Sequence, residues 1–138
     1  MKRLLVLALS LALGITATAC TDATGPGGAL AGNYSLLTVN GVAPPYAVEN
    51  SATLYSEVVQ ATIVLEANGN YTGVTRFRDT YPGQQPVLVD ETTIGYWTLS
   101  GNQLALTEQG FPNAPNYGTV SGNRITISDF GFTLVYSK

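Results

Sequence analysis

From residue 32 to residue 138, apolar and polar side chains alternate in runs broken by short stretches rich in Gly, Asn and Pro. An alternation of period two puts every second side chain on one face of an extended chain, so these runs predict β-strands with one buried face. The clearest signal is a repeated unit, Trp97-Thr98-Leu99-Ser100-Gly101-Asn102-Gln103-Leu104-Ala105-Leu106 and then Gly118-Thr119-Val120-Ser121-Gly122-Asn123-Arg124-Ile125-Thr126-Ile127. A Gly-Asn pair between alternating runs is a hairpin signal, because the central residues of primed turns need positive φ. With Gly101-Asn102 as the loop, Leu99 opposes Leu104 and Trp97 opposes Leu106. With Gly122-Asn123, Val120 opposes Ile125 and Gly118 opposes Ile127. A slip of one residue would send every apolar side chain to the other face, so the register is well specified.

The same reasoning extends outward. Residues 32–40 form a first strand, with Tyr34, Leu36 and Thr38 on one side and Ser35, Leu37 and Val39 on the other. Pro44-Pro45 excludes a helix or central strand, so residues 43–50 read as a loop with room for one short helical turn. Residues 51–66 are strand-like, with a break expected near Ser56-Glu57. At the next turn a three-residue loop, Ala67-Asn68-Gly69, sets Leu65 and Ile63 beside Tyr71, Gly73, Thr75 and Phe77. A two-residue loop would bring Arg76 inward instead, so the longer loop is preferred. Arg76 and Arg78 then lie on a solvated face with nearby acids. Residues 80–86 and 110–116 are loops, residues 87–99 a long strand in which Gly95 marks a bulge, and Asp129-Phe130-Gly131 joins the last two strands.

Eight or nine strands joined mainly by hairpins predict an all-β, antiparallel up-and-down β-barrel, since closure removes exposed edges. The tight turns all follow outbound strands and should gather at one end, with the long loops at the other. The segments Gly32-Asn33-Tyr34-Ser35-Leu36, Val39-Asn40-Gly41, Asn68-Gly69-Asn70-Tyr71-Thr72-Gly73 and Gly95-x-Trp97-x-Leu99-Ser100-Gly101-Asn102 resemble bacterial lipocalin-like domains, often found as small lipoproteins. The resemblance covers residues 32–138 and implies a lipocalin-like barrel. Where true lipocalins open on Gly-x-Trp, this chain has Gly32-x-Tyr34.

The N-terminal segment departs from the strand pattern. Met1-Lys2-Arg3 is a positive start, residues 4–15 are apolar, and Ala17-Thr18-Ala19-Cys20 follows. The run is too short for a comfortable membrane span, so residues 1–19 read as a signal peptide. Cys20, the one cysteine of the chain, sits where the bacterial lipobox places the residue that is acylated and becomes the mature N-terminus. The resemblance implies export and lipid anchoring to the cell envelope, at the outer membrane in a two-membrane cell because Thr21 follows. Residues 20–31, rich in Gly, Ala and Thr, read as a lipidated cysteine and flexible tether leading to the domain.

Composition narrows the chemistry. The chain has no His, so no His-based general base or metal cluster is available, and one Cys allows no intrachain disulfide. Charged residues are 11%, and without Lys2 and Arg3 four basic side chains face nine acidic ones, a balance of −5 that argues against nucleic acid as a partner. Asp90 and Glu91 are adjacent and point to opposite faces, so they cannot work as a carboxylate pair. No catalytic residue, metal site or cofactor is expected, and no enzyme. Two readings stay open. One is a binding module taking a small hydrophobic or amphipathic ligand, with Tyr46, Tyr81 and Phe111 on loops and Tyr71, Phe77 and Trp97 facing inward. The other is a structural or protein-interaction lipoprotein whose inward aromatics simply fill the barrel. Lumen volume separates them, and oligomeric state is not readable.

Overall fold

The computed structural model describes residues 28–138. The signal peptide, Cys20 and most of the expected tether lie outside the described residues. The chain forms nine strands: β1 (Gly32–Val39), β2 (Tyr46–Asn50), β3 (Tyr55–Leu65), β4 (Asn70–Thr80), β5 (Val87–Ser100), β6 (Gln103–Glu108), β7 (Asn116–Ser121), β8 (Arg124–Asp129) and β9 (Phe132–Ser137). Every pairing is antiparallel, and the order β1-β9-β8-β7-β6-β5-β4-β3 returns to β1, closing an eight-stranded barrel with β2 as one extra strand. The expected all-β barrel is what forms.

The two Gly-Asn hairpins adopt the register read from the pattern: Trp97 opposes Leu106, Leu99 opposes Leu104, and Val120 opposes Ile125. Gly101 and Gly122 have φ of 61° and 59°, and neither Asn102 nor Asn123 has positive φ. That is the requirement of a II′ turn, where the first loop residue alone must be left-handed. The three-residue loop also forms, with Leu65 opposite Tyr71 and Gly69 at φ 92°. Arg76 and Arg78 therefore point outward, Arg76 in a bidentate pair with Asp90 and Arg78 with Glu57.

Four expectations are corrected. Residues 46–50 are a strand, not a loop or helical turn, because β1 pairs with β3 only from Gly32↔Leu65 to Ser35↔Thr62 and then turns to β9. The other half of β3 is left with unpaired backbone groups, and β2 covers them. Within β1 a bulge between Leu36 and Thr38 shifts the phase, so fully buried Val39 joins Tyr34 and Leu36 inside instead of Thr38. In β3 the break falls between Val58 and Gln60, not at Ser56-Glu57. Gly95 marks no bulge either, since both ladders run through it without a shift. It serves close approach: a Cβ there would collide with the Thr107 carbonyl oxygen and sit 2.7 Å from the Tyr71 ring.

One end of the barrel is packed. Trp97, Tyr34, Leu65, Leu104 and Ile125 are fully buried, and the Trp97 indole donates to the Glu66 carbonyl at 3.1 Å. The core reaches back to Leu30, buried inside what reads as tether, where the Tyr34 hydroxyl donates to its carbonyl at 2.7 Å. Lys138 closes the end, donating to the carbonyls of Ala29 and Ala31 with its ammonium 5.2 Å from the Tyr34 ring. The chain thus enters beside its own C-terminus, at the end that carries the tight turns.

Candidate functional site

Above this floor the barrel is open. A cavity of about 430 Å³ occupies the half nearer the long loops. Its apolar wall comes from β1 (Leu36, Val39), β3 (Val58, Ala61, Ile63), β6 (Leu106) and β8–β9 (Ile127, Leu134). Val48 of β2 reaches it beside the seam that β1 leaves, and Phe77, Phe132 and Phe130 stand nearer the mouth. The strands widen the lumen here because β4 and β5 offer small inward residues, Gly73, Thr75 and Thr93, where the floor has Trp97 and Leu99.

Polar groups are set into this wall. Glu91, Glu108 and Asp129 line it and no Lys or Arg does. Each sits on the inward parity of its strand: Glu91 with Trp97, Glu108 with Leu104 and Leu106, Asp129 with Ile125 and Ile127. Asn116, which pairs with Leu106 and stands two residues beyond the Gly118↔Ile127 pair, lies between Glu108 and Asp129. The other carboxylates of β3, β4 and β5 are matched, Asp90 by Arg76, Glu57 by Arg78 and Asp79 by the Ser56 hydroxyl at 2.5 Å. The three in the cavity have no ion-pair partner among the described residues. Burial, and then the nearby Glu108 charge, push the Asp129 carboxyl above its ordinary value, with the Phe130 amide pulling the other way.

Two phenols share the space. Tyr71 and Tyr136 are 6% and 4% exposed and both line the cavity. Neither hydroxyl makes a hydrogen bond within the described residues. No fully enclosed side-chain polar atom there lacks a partner, so these hydroxyls open onto the cavity itself. Burial first, then the Glu108 and Asp129 charges for Tyr71 and the Asp129 charge for Tyr136, push both phenols up to about 12. They stay protonated donors at neutral pH.

The residues singled out in the sequence divide. Tyr71 and Phe77 line the cavity. Trp97 is 2% exposed and belongs to the floor rather than the lining. Tyr46 lies on β2 behind the wall, its ring edge-on to Phe132 at 6.2 Å and its hydroxyl accepting from Asn40 at 3.0 Å. Tyr81 and Phe111 are exposed on the long loops and outside the lining. Sequence reasoning missed Glu91, Glu108, Asp129 and Tyr136, although strand parity marks all four as inward. Among the described residues no group of three or more His, Cys, Asp or Glu is placed to hold a metal ion. No protein-family model matches the chain, and no curated protein matches it.

Proposed function

We propose that the protein is a lipid-anchored, lipocalin-like binding protein whose barrel takes one small hydrophobic or amphipathic molecule. The observation that carries this reading is the half-empty lumen: about 430 Å³ above a close-packed floor, within the roughly 300–1,000 Å³ of small-molecule sites. A barrel serving only as a scaffold would gain stability by filling that space with larger side chains at Gly73, Thr75 and Thr93, since voids forfeit dispersion contacts. The function is binding rather than catalysis, in line with a chain that has no His and keeps its single Cys in the leader region. The anchor rests on the leader pattern ending at Cys20. The described chain enters the barrel at the closed floor, so the mouth lies at the far end from that entry.

Gly73 offers a direct test. Its Cβ would meet nothing closer than 3.8 Å, so Gly73→Leu can project into the lumen without striking backbone. A neutral fluorescent probe, N-phenylnaphthylamine, should bind the purified protein saturably at micromolar concentration, and Gly73→Leu should abolish the signal while keeping the β-sheet circular dichroism. Absence of saturable binding in the wild-type protein, across neutral and charged apolar probes, would leave the structural lipoprotein as the reading.

A further inference from the structure

We infer that the molecule held in this cavity carries a positive charge: an amphipathic organic cation, such as a protonated alkyl- or arylamine, with its apolar part on the floor and its ammonium among Glu108, Asp129 and Glu91. The inference rests on the binding reading above and specifies its ligand class.

The charge pattern of the wall is one-sided. Three carboxylates line the lumen with no cationic side chain among the lining residues. All four basic residues of the barrel are engaged or placed elsewhere: Arg76 and Arg78 in outward pairs, Lys138 on the floor's outer rim, Arg124 exposed at the tip of the β7–β8 hairpin. Glu108 and Asp129 are half-buried while Glu91 is exposed, and burial, then the neighbouring Glu108 charge, raise the Asp129 carboxyl. A protein that tolerates unpaired like charges in its lumen retains a destabilising arrangement, and a cation entering the site removes it.

The two phenols are a separate indication. Tyr71 and Tyr136 are each more than nine-tenths buried, yet among the described residues their hydroxyls have no hydrogen-bond partner, and both side chains line the cavity. Buried hydroxyls are ordinarily hydrogen-bonded within the protein, and the sheet supplies acceptors throughout. Without a described partner, they can donate to the carboxylates or to a polar group on the ligand, and the aromatic residues of the lining, Phe77 and Phe132 among them, are of the kind that attracts an ammonium. The carboxylates are spread along the wall instead of gathered as metal ligands. That spacing fits a cation with an organic body better than a bare metal ion. The apolar stretch from Leu106 and Ile127 down toward the floor gives that body its place.

The test uses three ligands of one chain length, decylamine, decanol and decanoate, displacing N-phenylnaphthylamine from the full protein. Decylamine should compete about tenfold more strongly than decanol, the gain of one well-placed charge-assisted hydrogen bond, and decanoate should be weakest. In the Glu108→Gln, Asp129→Asn double variant, which keeps shape and removes charge, the amine should fall to the level of the alcohol while the alcohol is unchanged. Glu49→Gln, which removes an exposed charge on β2, should leave the order intact and so separate the cavity from general surface attraction. Probe binding with equal competition by amine and alcohol, or an amine preference that survives the double variant, would overturn the cationic ligand and leave the binding reading standing. No probe binding at all would overturn both.

Discussion

Single residues show most directly how the barrel divides into a packed half and an open one. Trp97 fills the floor with Leu104 and Leu106, and its indole N–H is satisfied by the Glu66 carbonyl. Trp97→Ala should lower stability by about 3–5 kcal/mol in denaturant unfolding, the usual loss for a buried aromatic. Its neighbour Thr98 faces solvent, so Thr98→Ala should stay within about 0.5 kcal/mol. Comparable losses from the two would contradict the register. At the other end Phe130 is 95% exposed with φ 44°, followed by Gly131 at φ 84°. An aromatic side chain has no local reason to occupy the left-handed region, whose cost is about 1–2 kcal/mol for most L-residues. Phe130→Asn should therefore raise stability by roughly 1 kcal/mol, since Asn-Gly suits this turn and no apolar burial is lost. The same variant should weaken probe binding, because Phe130 stands on the cavity rim. A gain in stability with unchanged binding would remove Phe130 from the site.

At the scale of elements, the barrel depends on where strands bend and where they part. β5 is the longest strand and passes close to β6 at Gly95, where the Tyr71 ring packs on a position that has no Cβ. Gly95→Ala would drive a methyl into the Thr107 carbonyl oxygen, an atom fixed in the sheet. We expect a loss of more than about 3 kcal/mol, the upper end of overpacking. Gly101→Ala meets no atom within 4 Å and strains only its own φ of 61°, so it should cost less. Equal stability of the Gly95→Ala and wild-type proteins would contradict the close approach. The other decisive element is β2. It completes the edge of β3 beyond the point where β1 crosses to β9, and so brings Val48 to the cavity and Tyr46 behind Phe132. Without it the seam would expose backbone donors and acceptors beside an apolar lumen.

Across the whole molecule the open half carries a measurable electrostatic signature. Burial and Glu108 raise the Asp129 carboxyl above its ordinary 3.8, while Tyr71, Tyr136 and Glu91 complete the titratable groups around it. The folded protein therefore holds this proton more tightly than the unfolded chain does. Its stabilising share is fully present below 3.8 and is lost as pH rises through the raised value. Asp129→Asn should accordingly melt higher than the wild type at pH 7, with the gap closing as pH falls below 3.8. A gap that widens in acid would reverse the assignment.

The alternation of residues 63–137, with its Gly-Asn turns and the Ala67-Asn68-Gly69 loop, was enough to determine the all-β class, the hairpin registers and the inward placement of Trp97, Tyr71 and Phe77, because side-chain parity and turn chemistry act over a few neighbouring residues. Parity also places Glu91, Glu108 and Asp129 inward, a signal the reading of the sequence passed over, and parity alone does not say that they share one space. The phase shifts at Leu37 and Val59, the strand at residues 46–50, and the exclusion of Tyr81 and Phe111 from the lining were decided by tertiary structure alone. Those features follow from closure: β1 must pair with two strands at once, and the seam it leaves sets where bulges, the extra strand and empty volume fall. Closure joins residues separated by most of the chain, and no local pattern carries that constraint.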